Sequence, residues 1–389
     1  MEKKRKLNWL WLTLSYILVV AVTVAVTVVV VNVKSTNKLS QLQRLLEQRF
    51  IGEVDSDALE DAAANAMVNA LGDRWSYYIT AEEYAAYEEQ KNNAYVGVGI
   101  TIQVTEDQQG FLVIKVEEGG SAKEQGILPG DVITEVAGQS ISQIGTEKAQ
   151  AEIRGEKGTT VSVAVLRNGE KLTFTLTRKT IQTPVATAQM LEGNVGLVTI
   201  RNFNNKCADE SINAVKKLLN QGAEAIIFDV RNNPGGYQAE LVKLLDYLLP
   251  EGKLFCSVDY TGKESTDWSD AACLEIPMAV LVNGESYSAA EFFAAALEEY
   301  DWATVVGEQT CGKGYFQVTY QFNDGSAVGL SIGKYFTPIK GVSLAETGGL
   351  TPEIEVDVDD RTAALIYSGL LEPEEDPQIQ AALQALQNP

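Results

Sequence analysis

The sequence predicts a multidomain chain mixing α+β and α/β architecture: an N-terminal transmembrane helix, a helical region, a β-rich module and an α/β core. Three observations predict it. An uncharged apolar stretch runs from Trp9 to Val31. From Tyr95 apolar residues alternate with period two, and from Val195 short apolar strands alternate with helical segments.

The apolar stretch follows the basic run Lys3-Lys4-Arg5-Lys6 and is bounded by Asn8 and Asn32. Its length suits the ~20 residues that span a bilayer. A secretory signal has a shorter apolar core, about 7–15 residues, with small residues before its cleavage point. Val28 to Val31 has none. The expectation is an uncleaved single-pass anchor in the cell membrane over 1–32, its basic flank cytoplasmic and the chain after Asn32 extracytoplasmic.

Residues 33–92 place Leu39, Leu42, Leu45, Leu46 and Phe50 at helical spacing, with further helices over Asp57–Leu71 and Ala81–Gln90. The alternating segment, 93–182, has strands over 97–102, 111–116 and 132–136, and one short helix near Thr146–Arg154. A hairpin, Val161–Leu166 with Leu172–Leu176, turns at Asn168-Gly169. Over 183–360, strands at 195–200, 225–230 and 278–282 alternate with helices at 209–220, 238–248 and 289–299, which predicts a parallel-rich sheet. Residues 361–389 form a helical tail. Ligand sites in such sheets lie beyond the carboxyl ends of the strands. Asn232 to Gly236 and Asn283 to Ser288 both occupy such ends.

Composition excludes several functions. A net charge of −22 argues against nucleic acid, whose phosphates need Lys and Arg. The 389 residues contain no histidine, which removes Ser-His-Asp and Cys-His arrangements and the commonest zinc ligand. Cys207, Cys256, Cys273 and Cys311 form no CxxC pair, so no metal site or cofactor is expected. Any general base must be Lys, Glu, Asp or Tyr.

Ser288 stands where an apolar strand passes into an Ala-rich helix. A serine there is commonly only an N-cap. The helix N-terminus also supplies free N–H groups that stabilise developing negative charge, as a nucleophile requires. Local sequence leaves both readings open. Lys313 lies between Gly312 and Gly314, either as an exposed turn residue or as a lysine that glycines allow to be buried. Lowering a lysine from ~10.4 towards neutrality by burial, a shift of about 3 units, costs roughly 4 kcal/mol and yields a usable general base.

Across nearly all of its length after the apolar stretch, the chain resembles the carboxyl-terminal processing peptidases, the S41 family of Ser-Lys serine proteases with a PDZ domain. Ser286-Tyr287-Ser288-Ala289-Ala290-Glu291 resembles the family's S-A-S-A-S-E, and Gly312-Lys313-Gly314-Tyr315-Phe316-Gln317 its G-K-G-x-x-Q. The resemblance implies Ser288 as nucleophile, Lys313 as base and Gln317 as the residue orienting the amine. Asp229-Val230-Arg231-Asn232-Asn233-Pro234-Gly235-Gly236 resembles D-L-R-x-N-P-G-G, which implies an oxyanion hole from Gly235, Gly236 and Ala289. Residues 93–182 resemble the PDZ domain, with Gly97, Val98, Gly99 and Ile100 holding a peptide carboxylate and Arg154 coupling PDZ to protease. Residues 183–360 resemble the protease core. Expected partners are protein or peptide substrates with free C-termini, the membrane, and further copies of the chain as a homo-oligomer. Tyr287, in place of a small residue, is expected to narrow the site.

Two alternatives accompany this reading. One is a non-catalytic membrane receptor binding peptide C-termini through its PDZ domain. The other is a different Ser-Lys enzyme, since Ser35-Thr36-Asn37-Lys38 matches S-x-x-K, although no K-T-G follows. Under oxidising conditions Cys256 and Cys273, in the excursion 254–276, are expected either to bridge or to remain unpaired thiols.

Overall fold

The structure is a computed structural model describing residues 37–387, with residues 9, 11, 15–24 and 26 of the N-terminal stretch. It divides into two compact units, 1–78 and 79–389. In the first unit, α1 (Lys38–Arg49) starts at Asn37, whose side chain accepts from Ser40 N–H, and α2 (Ser56–Asn69) starts at Asp55 in the same manner. Gln43 Nε2 donates to Glu60 (3.1 Å) and Ser56 Oγ to Glu47 (3.3 Å), joining the two helices.

The expected transmembrane helix is corrected. Among the described residues no helix is long and apolar enough to cross a membrane. Part of the apolar stretch, like Ser35 and Thr36 of the S-x-x-K match, lies outside the described residues. The single-pass, extracytoplasmic localisation built on that helix falls with it.

The second unit opens with α3 (Ala81–Lys91), begun by a reciprocal cap between Thr80 and Glu83. A short strand, β1 (Ala94–Gly97), precedes β2 (Ile100–Val104), β3 (Phe111–Val116), β4 (Val132–Val136), α4 (Thr146–Ile153), β5 (Thr160–Arg167) and β6 (Glu170–Thr177). Strands β2 to β6 form one antiparallel sheet in the order β2-β3-β4-β5-β6, while β1 pairs with β7 (Lys179–Gln182). The continuous strand expected over 97–102 is interrupted at Val98-Gly99. Gly99 has φ +85°, and a Cβ there would lie 2.5 Å from the Gly120 Cα, so only glycine fits. Asn168 and Gly169 both have positive φ, as the predicted turn requires. Inward residues Phe111, Val113, Ile133, Val136, Val163 and Val165 form this module's own core.

The larger part is built on a six-stranded sheet: β8 (Ala186–Met190), β9 (Val195–Ile200), β10 (Ala225–Asp229), β13 (Met278–Val282), β14 (Thr304–Gly307) and β17 (Ile354–Glu355), adjacent in that order. The β8–β9 pair is antiparallel and every other pair parallel. All residues of β10 and β13 are buried, because both faces are covered. Val198, Ile200, Ile226, Phe228, Val280 and Val282 face α5 (Cys207–Asn220), α6 (Gln238–Leu248) and α7 (Ala289–Glu299) in one core. The alternate residues Leu197, Ala225, Ile227, Ala279, Leu281 and Val306 pack with Ile379 and Ala382 of the C-terminal helix α8 (Pro377–Gln387).

Strands β11 (Gly252–Asp259), β12 (Glu264–Ser269), β15 (Tyr315–Gln321) and β16 (Ala327–Phe336) pair antiparallel in the order β12-β11-β16-β15. The 254–276 excursion is therefore largely the β11–β12 hairpin, and Cys256 and Cys273 are free thiols, not bridged to each other.

A buried ion cluster ties α8 to the main sheet. Arg231, just past β10, donates to Asp229 through Nε and a terminal nitrogen (2.9 and 2.7 Å), and to Asp376 (2.8 Å) and Gln378 (2.9 Å) through the other. The flanking carboxylates hold the guanidinium firmly protonated despite its burial. Removing one partner of a buried pair strands the other charge, at a cost of ~3–5 kcal/mol. Asp376→Ala is therefore expected to lower unfolding stability by about that amount in urea titration. A loss below ~1 kcal/mol, the range of surface pairs, would show that α8 is held by packing alone.

Candidate active site

Strands β10, β13 and β14 are consecutive parallel neighbours, so the loops after them emerge at one edge of the sheet. These loops carry the three sequence motifs, and hydrogen bonds weave them together. Asn232 and Asn283 pair across the first two: Asn232 N–H donates to Asn283 Oδ1 (2.9 Å) and Asn283 Nδ2 to Asn232 Oδ1 (3.0 Å). Asn233 Nδ2 donates to the Ile200 carbonyl (2.7 Å), and Tyr287 N–H to the Asn233 carbonyl (3.2 Å). Cys311 N–H donates to the Ser286 carbonyl (3.2 Å), bringing the third loop against the second.

The two candidate serines separate clearly. Ser286 is fully buried, its Oγ donating to the Val230 carbonyl (2.8 Å) and accepting from Asn283 N–H (3.0 Å). That hydroxyl is part of the scaffold. Ser288 precedes α7 with φ +59° and ψ −122°, a conformation that costs a non-glycine residue ~1–3 kcal/mol and marks functional turns. A Cβ on Gly235 would lie 2.8 Å from both Ser288 Cβ and Ala289 N, so the absence of a side chain at 235 admits the serine.

Glu291, one turn into α7, organises the site. Its Oε2 accepts from Ser288 N–H (2.9 Å) and Lys313 N–H (2.8 Å). Its Oε1 accepts from Gly312 N–H (2.9 Å) and the Thr310 hydroxyl (2.7 Å). Thr310 Oγ1 in turn accepts from Leu350 N–H (2.8 Å). Burial pushes the Glu291 carboxyl above its usual range, against the opposing effect of the four donors. Segments 25 residues apart in sequence thus meet on one oxygen atom.

Lys313 Nζ lies 5.9 Å from the centroid of the Tyr287 ring, within the range of cation–π attraction. The residue expected to narrow the site therefore stands beside the lysine. Gln317 follows a β-bulge in β15, and its Nε2 donates to the Tyr315 carbonyl (3.1 Å) and Ser331 Oγ (2.9 Å). Tyr335, buried on β16, donates its hydroxyl to the Lys313 carbonyl.

The expected oxyanion set needs one correction. Gly235 N–H is engaged by Asn233 Oδ1 (2.9 Å), so it is unavailable to an oxyanion. Among the described residues, Gly236 N–H and Ala289 N–H have no acceptor. Gly236 also requires glycine, since a Cβ would come 2.2 Å from the Phe203 carbonyl carbon.

In the β-rich module, Gly97, Val98, Gly99 and Ile100 lead into β2, an edge strand. The Val98 and Gly99 carbonyls accept from Ala122 N–H (3.0 Å) and Glu117 N–H (2.9 Å), which turns the loop's carbonyls into the module. Arg154 is exposed at the end of α4, and among the described residues its side chain makes no bond to the larger part. The buried arginine nearby is Arg178, which donates to the carbonyls of Ile153 (3.1 Å), Glu152 (2.6 Å) and Thr160 (3.1 Å) and caps α4. Sequence reasoning missed Arg178 and Tyr335, which carry no local motif. Glu291 had a legible signal, the i,i+3 spacing of a capping box with Ser288.

Comparison with known proteins identifies the family and its domains. Residues 194–356 match the model of peptidase family S41, and residues 89–166 that of the PDZ domain. A probable CtpA-like serine protease of Staphylococcus aureus (strain COL) is 33% identical over 326 residues, covering 82% of this chain and 64% of that one. The carboxy-terminal processing protease CtpA of Bacillus subtilis (strain 168) is 30% identical over 327 residues, 83% of this chain and 69% of that protein. The chain thus spans a little under two thirds of the length of its S. aureus relatives. A putative S41 protease from Bacteroides fragilis shares the fold, with a TM-score of 0.54 at 16% identity over 89% of this chain and 97% of that one. This chain belongs to peptidase family S41, the carboxyl-terminal processing serine proteases, and has a PDZ domain ahead of the peptidase core.

The scaffold role of Ser286 is testable. Ser286→Ala leaves the Val230 carbonyl and Asn283 N–H without a partner, at a cost of ~1–3 kcal/mol. Thermal unfolding is expected to fall by several degrees while fluorophosphonate labelling of the protein persists. Loss of labelling with an unchanged melting temperature would instead make Ser286 the reactive serine.

Proposed function

We propose that this protein is a serine endopeptidase in which Ser288 is the nucleophile, Lys313 the general base and Gln317 its orienting partner, with substrate C-termini read by the PDZ domain. The convergence of Ser288 N–H and Lys313 N–H on Glu291 Oε2 carries the reading, because it brings the two motifs to one place.

Ser288 Oγ attacks the scissile carbonyl and its proton passes to the neutral Lys313 amine. The carbonyl oxygen becomes an oxyanion within reach of Ala289 N–H and Gly236 N–H, the first at the positive end of α7. The Lys313 ammonium then protonates the departing amine, leaving an acyl-enzyme. Water, deprotonated by Lys313, releases the new carboxylate and restores Ser288. The Gln317 amide nitrogen is directed to β15 and β16, so its carbonyl oxygen is the acceptor that would orient the lysine amine.

Substrate recognition rests on β2, whose free edge can add an extended peptide as a further strand. The loop 97–100 offers main-chain N–H groups to the terminal carboxylate. Backbone donors suit a protein of charge −22, which has little side-chain cation to spare. The alternative of a non-catalytic PDZ receptor gives no role to the Glu291 convergence.

Ser288→Ala should abolish cleavage of an unfolded protein, and Lys313→Arg should do the same, since a guanidinium does not deprotonate at working pH. Substantial turnover in Lys313→Arg would rule out lysine as base. For the PDZ domain, a peptide substrate with a free apolar C-terminus is expected to be cleaved severalfold faster than its amidated form. Equal rates would mean that the domain does not read the terminal carboxylate.

A further inference from the structure

The segment 202–205 is bonded on two sides. On one side it runs beside the glycine loop: Phe203 N–H donates to the Gly235 carbonyl (2.7 Å), and Tyr237 N–H donates to the Phe203 carbonyl (2.7 Å). The first of these bonds orients a peptide plane. In a planar trans peptide the N–H points opposite to the C=O, so a Gly235 carbonyl held by Phe203 turns the Gly236 N–H away from Phe203. That N–H is the one proposed above to meet an oxyanion. Gly235 and Gly236 both have positive φ, and with no Cβ on either side little else resists rotation of the plane between them. Its orientation therefore depends on what holds Phe203.

On the other side lies a seam of asparagines. Asn93 clasps the segment with both ends of its amide: Nδ2 donates to the Asn205 carbonyl (2.8 Å), and Oδ1 accepts from Asn202 Nδ2 (2.7 Å). The two contacts flank Phe203. Asn202 Oδ1 accepts from Asn204 N–H (2.9 Å), which fixes the amide that Asn93 holds. Asn205 adds bonds from its N–H to the Lys91 carbonyl (3.2 Å) and from its Nδ2 to Asn92 Oδ1 (2.6 Å). Asn93 is itself anchored, because its carbonyl accepts from Thr183 N–H (2.8 Å). Its φ is +48°, a left-handed conformation that asparagine tolerates better than most residues.

We infer that Asn93 is a positioning residue of the proposed site: through Asn202 and Asn205 it holds Phe203 so that the Gly235–Gly236 peptide presents its N–H to the oxyanion. The inference rests on the proposed mechanism, with Ser288 as nucleophile and Gly236 N–H as a donor. Asn93 acts through the 202–205 segment and not on the reacting atoms. The oxyanion forms only as Ser288 attacks, so loss of the clasp weakens binding of the transition state and leaves binding of the substrate in place.

The test is Asn93→Gly in the full chain, which deletes the clasp and keeps the left-handed conformation accessible. Asn202→Ala breaks the same clasp from the other side. For each, kcat and KM on a peptide substrate are measured well below the melting temperature. So is the Ki of the matching peptide aldehyde, whose adduct with Ser288 mimics the tetrahedral intermediate. In both variants kcat is expected to fall about 10-fold or more with KM within about twofold of wild type, and the aldehyde to bind more weakly by about the factor lost from kcat/KM. Trp302→Phe controls for destabilisation alone, since it removes a hydrogen bond to the Leu274 carbonyl (3.2 Å) just past the far end of α7. Its melting temperature should fall with kcat close to wild type. A kcat for Asn93→Gly within about twofold of wild type would overturn the inference. So would an unchanged aldehyde Ki beside a lowered kcat, or an equal loss of kcat in Trp302→Phe. Ser288→Ala, run in parallel, separates the two levels: an active Ser288→Ala refutes the nucleophile itself, whereas an inactive one beside a wild-type-like Asn93→Gly refutes only the role of Asn93.

Discussion

The site depends on one buried carboxylate. Glu291 accepts four hydrogen bonds, from Ser288 N–H, Lys313 N–H, Gly312 N–H and the Thr310 hydroxyl. A carboxylate left unpaired in the interior would be strongly unfavourable, so the loop after β14 must close onto α7 for the charge to be tolerated. The dependence runs both ways. Ser288 sits in a strained conformation that the surrounding bonds have to maintain, and the Glu291 bond to its N–H is one of them. Burial alone favours the protonated acid, and the four donors favour the ionised form that can accept all of them.

Around that carboxylate, parallel strand order does the coarse positioning. Because β10, β13 and β14 are adjacent and run the same way, the glycine loop, the serine turn and the lysine loop are neighbours before any side chain contributes. Fine positioning comes from small residues and amides. Gly235 leaves room for Ser288, Asn232 and Asn283 lock two loops, and Asn233 consumes the one glycine N–H that would otherwise compete for an oxyanion. The Arg231 cluster extends the same logic to the far end of the chain, since α8 covers the second face of the sheet that presents these loops.

The β-rich module shows a similar economy. Its sheet leaves β2 as an edge, and a glycine pair, Gly99 against Gly120, brings the loop before β2 close to the module. Arg178 caps α4 from inside, whereas Arg154 at the same helix end faces solvent. An arginine's role here follows from which carbonyls the fold presents, and residue type at a sequence position cannot reveal that.

What the sequence determined by itself was whatever depends on near neighbours. Strands 111–116, 132–136, 195–200 and 278–282 and helices 238–248 and 289–299 have the bounds read from periodicity, because alternation and helical spacing are local consequences of which face is buried. The three motifs were legible for the same reason, each being a contiguous turn with its own glycine or serine requirement. The membrane-spanning reading was overturned, because among the described residues no helix is long and apolar enough to cross a membrane. Tertiary structure alone decided that Gly235 gives up its N–H, that Ser286 is scaffold while Ser288 N–H is held by Glu291, and that Tyr335, 22 residues beyond Lys313, meets its carbonyl. The physical reason is common to all three. A hydrogen-bond partner is chosen by proximity in space, and that proximity exists only once the sheet has brought distant segments to the same edge.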